Sequence, residues 1–166
     1  MKRMHAVLLA FVLSLVMVVP AAFAADDMAA KLSAVLAKAP AEKFWQVSSD
    51  DVLAMIKAKK TDFVVVDVRP NPGEFVQGHI PGALQIPVQD ILKPDSLKKL
   101  PKDKKIILVC VTGQTQNLPV IALRAMGYNA LTMKFGMVSW TKGYHGTKLV
   151  QGAIKDADTK NYPLEK

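Results

Sequence analysis

Cysteine is almost absent: Cys110 is the only one in 166 residues. No internal disulfide can form, so the thiol is an intermolecular bridge, an inert buried group or a working nucleophile. Histidine is nearly as scarce, at three residues. With a single cysteine and no ligand spacing, these make no metal site, and neither a metal nor a cofactor is expected. Aromatic residues make up 7% of the chain. The lysines (Lys57, Lys59, Lys60, Lys98, Lys99, Lys102, Lys104, Lys105) are scattered and have no aromatics interleaved, which argues against nucleic acid as a partner. Internal repeats and low-complexity tracts are lacking.

The extended apolar run from Ala6 to Val19 falls short of the roughly 20 residues that a bilayer span needs. It follows Lys2 and Arg3 and precedes Ala22-Phe23-Ala24. That is the pattern of a secretory leader of the Sec type, with cleavage near Ala24/Ala25. Residues 1–24 are therefore expected to be removed, giving a periplasmic or secreted protein with no stable membrane insertion. Lipidation would need a cysteine at the cleavage point, and Cys110 is too far along. The leader carries two of the 22 basic residues and none of the 14 acidic ones, so the remainder has 20 against 14, a net +6. That balance favours anionic small molecules or acidic surfaces.

After the leader, residues 26–38 read as a short amphipathic helix and "APAEK" as a linker, so 25–45 is set apart as a helix-plus-linker segment. Ser48 followed by Asp51 suggests a capping box for the helix "DDVLAMIKAKK". "FVVVDV", Phe63–Val68, is a continuous β-branched run that suits a strand buried on both faces. "ALQIP" reads as a short strand, "VQDIL" and "DSLKKL" as small helices, and "KKIILVC" as a second buried strand. "TQNLPVIALRAMGY" follows as a helix with Leu118, Ile121, Ala122, Ala125 and Met126 on its apolar face. "NALTMKF" is a third strand, and "MVSWTKG" a last short helix. Residues 144–166 are left as a tail. Strands alternating with helices predict an α/β fold: a central, mostly parallel sheet with helices on both faces. In such sheets the site lies at the carboxyl ends of the strands, where Asp67 and Cys110 both sit.

The loop "CVTGQT", Cys110 to Thr115, leads from strand to helix. Gly113 permits a turn that a side chain would forbid. The N–H groups at the start of the helix point back into the loop and favour an anion, including a thiolate over a thiol of ordinary pKa about 8.5. Thr115 can offer a hydroxyl to the thiolate or to its adduct. Pro119 falls in the first helical turn, where a missing N–H costs little. The bland alternative is that Cys110 is a small buried hydrophobe at a strand end.

"VVVDVRPNPGEFVQGHIPGALQIP", "CVTGQT" and "GYNALTMKFGMVSW" together resemble the single-domain rhodanese sulfurtransferases across residues 46–143. The resemblance implies that Cys110 takes a sulfane sulfur from a small donor (thiosulfate, polysulfide or persulfide). The resulting persulfide would rest on the loop Val111, Thr112, Gly113, Gln114 and Thr115, and then pass its sulfur to a thiol or cyanide-like acceptor. It also implies supporting roles for Asp67, which closes its strand beneath the loop, and for Arg69 paired with Glu74. His79 in "GHIPG" could serve as a proton donor or sensor, but is expected to be a hydrogen-bonded tie that holds the loop down. His145 is left in the tail with no role. Trp140 and Phe135 are expected in the core or the pocket wall.

Two departures bear on the donor. The loop carries no Arg or Lys, and Phe135-Gly136 stands where the family usually has Gly-Gly. An apolar wall of Val111 and Phe135, without a cation, suits polysulfide or persulfide better than dianionic thiosulfate. Related phosphatases and arsenate reductases place Arg six positions after the cysteine. That position is Gln116, which cannot supply the fixed cation that a phosphoryl group needs. The serious rival is a non-catalytic rhodanese-fold module for binding or sulfur carriage.

Overall fold

The computed structural model of the chain describes residues 21–165. The leader expected over 1–24 lies largely outside them, and helix α1 already spans Ala21–Leu36. Among the described residues, no helix is long and apolar enough to cross a membrane.

Five strands form one sheet: β1 (Gln46–Val47), β2 (Phe63–Asp67), β3 (Leu84–Gln85), β4 (Lys105–Val109) and β5 (Asn129–Met133). Their order is β1-β5-β4-β2-β3, and every pairing is parallel. The central pair runs in register from Phe63 beside Lys105 to Asp67 beside Val109. Both strands are rich in β-branched residues (Val64–Val66; Ile106, Ile107 and Val109), as suits strands covered on both faces. One face packs Val66, Val68, Ile106, Leu108 and Cys110 against helix α5 (Val120–Ala125), with α1 alongside it. The other packs Val65, Ile107, Val109 and Met133 against α2 (Ser49–Lys57) and the stretch around Met137 and Trp140. Two short helices, α3 (Pro72–Gln77) and α4 (Pro94–Leu97), lie in the connections flanking β3. The last helix, α6, spans Gly146–Lys160. The α/β architecture is the expected one, with a sheet that is parallel throughout.

The capping box of α2 is present as read: the Ser48 hydroxyl accepts from the Asp51 N–H at 3.0 Å, and the Asp51 carboxylate accepts from the Ser48 N–H at 3.2 Å. Three readings are corrected. The expected linker 39–43 is packed structure, with Ala39 buried in the core and a left-handed turn at Lys43, Phe44 and Trp45 (φ 54°, 54° and 56°). Left-handed backbone costs roughly 1–2 kcal/mol per residue. Contacts around Trp45 offset that cost: its indole N–H donates to Glu42 at 2.9 Å, and Arg124 lies over its ring at 4.6 Å.

The helix expected from Thr115 to Tyr128 is split into a 3₁₀ turn, Thr115–Asn117, and the six residues of α5, with Pro119 capping the second piece. The tighter turn rotates the phase, so Val120 and Leu123 are the buried residues, while Leu118 is 73% exposed. The supposed tail contains the fifteen residues of α6.

Candidate active site

Cys110 follows β4 directly, at the carboxyl edge of the sheet. The loop after it turns sharply, with Gly113 at φ +87°. A Cβ on Gly113 would lie 2.8 Å from the backbone of Phe135, and one on Gly136 would lie 2.3 Å from the Cys110 carbonyl oxygen. The loop and the Phe135-Gly136 corner are thus in backbone-to-backbone contact, which only glycine allows at these two points. The corner is fastened by the Met137 N–H donating to Cys110 O at 2.8 Å and the Val138 N–H donating to Val111 O at 3.1 Å. Inside the loop, the Gln116 amide accepts from the Cys110 N–H at 2.8 Å and donates to Met133 O at 2.5 Å. Asn117 donates to Gly113 O at 2.7 Å.

These bonds leave one set of groups over. Among the described residues, the N–H groups of Val111, Thr112, Gly113 and Gln114 donate to no protein acceptor. Successive free amides on a tight turn form a cradle for an anion. The Cys110 side chain is only 1% exposed and belongs to the core cluster on the α5 face.

The supporting residues gather on the opposite face. The Asp67 carboxylate accepts from Arg69 Nε at 2.9 and 3.0 Å and from Nη2 at 2.6 Å, and both side chains are buried. Arg69 Nη2 also donates to Gly78 O at 2.7 Å. The expected Arg69–Glu74 pair is loose, at 3.8 Å. Tyr144 bridges the gap: its hydroxyl accepts from Arg69 Nη1 and donates to Glu74 Oε2, both at 3.0 Å. Burial works against the Arg69 charge, but the hydrogen bonds with Asp67 and Tyr144 outweigh it and hold the guanidinium above its ordinary value. Burial also raises the Tyr144 phenol; Arg69 opposes this and Glu74 adds to it. Arg69, Glu74 and Tyr144, with His79, Trp140 and Lys142, line a concavity of about 430 Å³.

His79 is exposed: its Nδ1–H donates to Phe75 O at 2.8 Å, and its ring stacks on Phe75 at 3.8 Å. Two further expectations are overturned. Phe135 is neither core nor wall, because its left-handed backbone (φ 59°) turns the ring outward to 65% exposure. Val111 does not face it across a pocket. Val111 lies under Gly146, where an added Cβ would come within 2.6 Å of Val111 Cγ1. His145 is drawn in from the tail, with Nε2 3.6 Å from Glu74.

Sequence reasoning missed Gln116 as a positive feature, treating it only as the absence of arginine. It also missed Tyr144, whose sole signal was an aromatic just beyond the final motif.

Comparison with known proteins agrees with this fold. Residues 48–143 match the family model described as "Rhodanese-like domain". A protein named sulfurtransferase from Allochromatium vinosum is 33% identical over 94 residues, covering 56% of this chain and 83% of that one. A tRNA sulfurtransferase from Desulfurococcus amylolyticus is 29% identical over 87 residues, covering 52% of this chain but 17% of that longer protein. Among solved structures, a rhodanese-like domain protein from Staphylococcus aureus superposes with a TM-score of 0.53 at 28% identity, over 59% of this chain and 92% of that one.

Proposed function

The chain belongs to the rhodanese-like domain family, and on that footing we propose that it is a sulfurtransferase working through a persulfide on Cys110. The family match and the sulfurtransferase-named relatives support sulfur transfer in general. The four free loop amides beside Cys110 carry the mechanism. A Cys110 thiolate attacks the outer sulfur of a donor, the donor's sulfur–sulfur bond breaks, and the leaving group departs with the electron pair. The persulfide anion then lies against the N–H groups of Val111–Gln114, fixed dipoles that need no reorganisation to receive it. A thiol or cyanide-like acceptor attacks the outer sulfur and frees the thiolate. Among the loop residues Val111–Thr115 there is no cation, so polysulfides and persulfides are the better donors and thiosulfate the poorer. Processing after Ala24 and export to the periplasm or medium belong to the same proposal.

One observation favours a second reading. Cys110 is packed in the core, and a thiol so placed can be inert, the domain then acting as a binding module. Exposure to polysulfide followed by intact mass analysis separates the two. A reducible gain of one sulfur at Cys110 supports the enzyme, and an unchanged mass supports the module.

A further inference from the structure

Helix α6 lies outside the matched family segment, which ends at residue 143. It begins on the reactive loop. Gly146 is buried, and an added Cβ there would stand 2.6 Å from Val111 Cγ1, 3.0 Å from Val138 Cγ2 and 3.5 Å from Thr112 Cγ2. The helix is therefore seated on the sulfur-binding loop as closely as its backbone allows. From that seat, Leu149, Val150, Ala153, Ile154 and Ala157 follow at helical spacing on one face. With Thr112 and Gln114 of the loop they line a trough of about 400 Å³. The apolar side chains are not spent on the core: Leu149 is 66% and Ile154 59% exposed. An apolar trough thus ends at two residues of a loop that offers free amides and no cation.

We propose that this trough seats the apolar arm of the sulfur donor, so that the enzyme selects organic thiosulfonates and hydropersulfides bearing an alkyl or aryl group over inorganic thiosulfate. The inference rests on the sulfurtransferase reading and names the substrate class of the same site. The occupant follows from what the trough joins: a sulfane sulfur at the loop end and hydrocarbon along the helix. A trough of a few hundred Å³ is the size of a small-molecule site. For a thiosulfonate the step balances without any further oxidant or reductant. The Cys110 thiolate bonds to the outer sulfur, the bond between that sulfur and the sulfonyl group breaks, and the arm leaves as a sulfinate with the electron pair.

The test is a donor series on the full chain: thiosulfate, then methane-, butane- and benzenethiosulfonate, at constant ionic strength. Burying several carbons in a half-open trough is worth roughly tenfold, so kcat/KM is expected to rise about tenfold from the methyl to the butyl and phenyl donors, chiefly through KM. The double variant Leu149→Ser/Ile154→Ser changes two exposed positions. It is expected to bring that ratio to within about twofold of unity, by the same burial argument. A flat series in the wild type, or an unaltered ratio in a variant with native circular dichroism, overturns the inference while leaving sulfur transfer standing. Failure of every donor to load sulfur on Cys110 overturns the underlying reading as well. Sedimentation equilibrium covers the other occupant. A wild-type dimer that the double variant abolishes, with the donor ratio unmoved, makes the trough a self-association face and overturns the proposal.

Discussion

The side-chain oxygen of Gln116 accepts the backbone N–H of Cys110 at 2.8 Å, and the same amide's nitrogen donates to Met133 O. A buried neutral side chain thus fastens the end of β4 to the end of β5 and shapes the loop between them. Gln116→Ala leaves a donor and an acceptor buried without partners, at about 1–3 kcal/mol each. The expected loss is roughly 2–6 kcal/mol in urea unfolding at unchanged m-value, with sulfur transfer impaired because the loop loses its inner support. A loss under about 0.5 kcal/mol would mean that water or a neighbour replaces the amide freely.

Gly136 has no room for a side chain. Its φ is +55°, and a Cβ would meet Cys110 O at 2.3 Å. Gly136→Ala must push the corner off the loop, at a cost of several kcal/mol. Phe135, next to it, also holds a left-handed backbone but with its ring in solvent. Phe135→Gly is therefore expected to be neutral or to stabilise by up to about 1 kcal/mol. Thermal unfolding of the two variants side by side should give opposite signs or a clear gap.

Tyr144 joins Arg69 to Glu74. Its phenol is raised above the ordinary value, so the folded state favours the protonated form. That stabilisation is fully present below the unfolded phenol's value and is lost as the pH rises through the raised folded value. Tyr144→Phe is expected to cost about 1 kcal/mol at pH 7, discounted because the site is part-exposed. The gap between wild type and variant should narrow as the pH rises through the raised phenol value. A gap that stays constant across that range would contradict the stabilisation of the protonated phenol.

Much of the fold was legible because its signals are local. The β-branched runs gave β2 and β4, and Ser48 with Asp51 gave the start of α2. The loop was legible as a motif, since Cys110, Gly113 and Thr115 fall within six consecutive residues. What escaped depends on distant partners. Gln116 matters through Met133, Tyr144 through Arg69 and Glu74, and Gly146 through Val111 and Val138. Burial of Ala39 and Trp45 likewise depends on the neighbouring core and on Arg124. The phase of α5 was misread because the 3₁₀ turn before it uses three residues per turn, where the periodic template assumes 3.6.

Export predicts a definite N-terminus. Protein recovered from the periplasm or medium of its host should begin at Ala25 or within a residue or two of it. Edman sequencing that returns Met1 from a membrane fraction would contradict export.

The most direct measurement is the intact mass of the wild type and of Cys110→Ser after exposure to polysulfide, before and after a reducing agent. The wild type should gain one sulfur atom and lose it on reduction, and on addition of cyanide should release that sulfur as thiocyanate. The serine variant should fold, because its side chain is nearly isosteric, but gain nothing, because a hydroxyl stays protonated at neutral pH. An unchanged wild-type mass, or equal sulfur uptake by Cys110→Ser, would contradict a persulfide carried on Cys110.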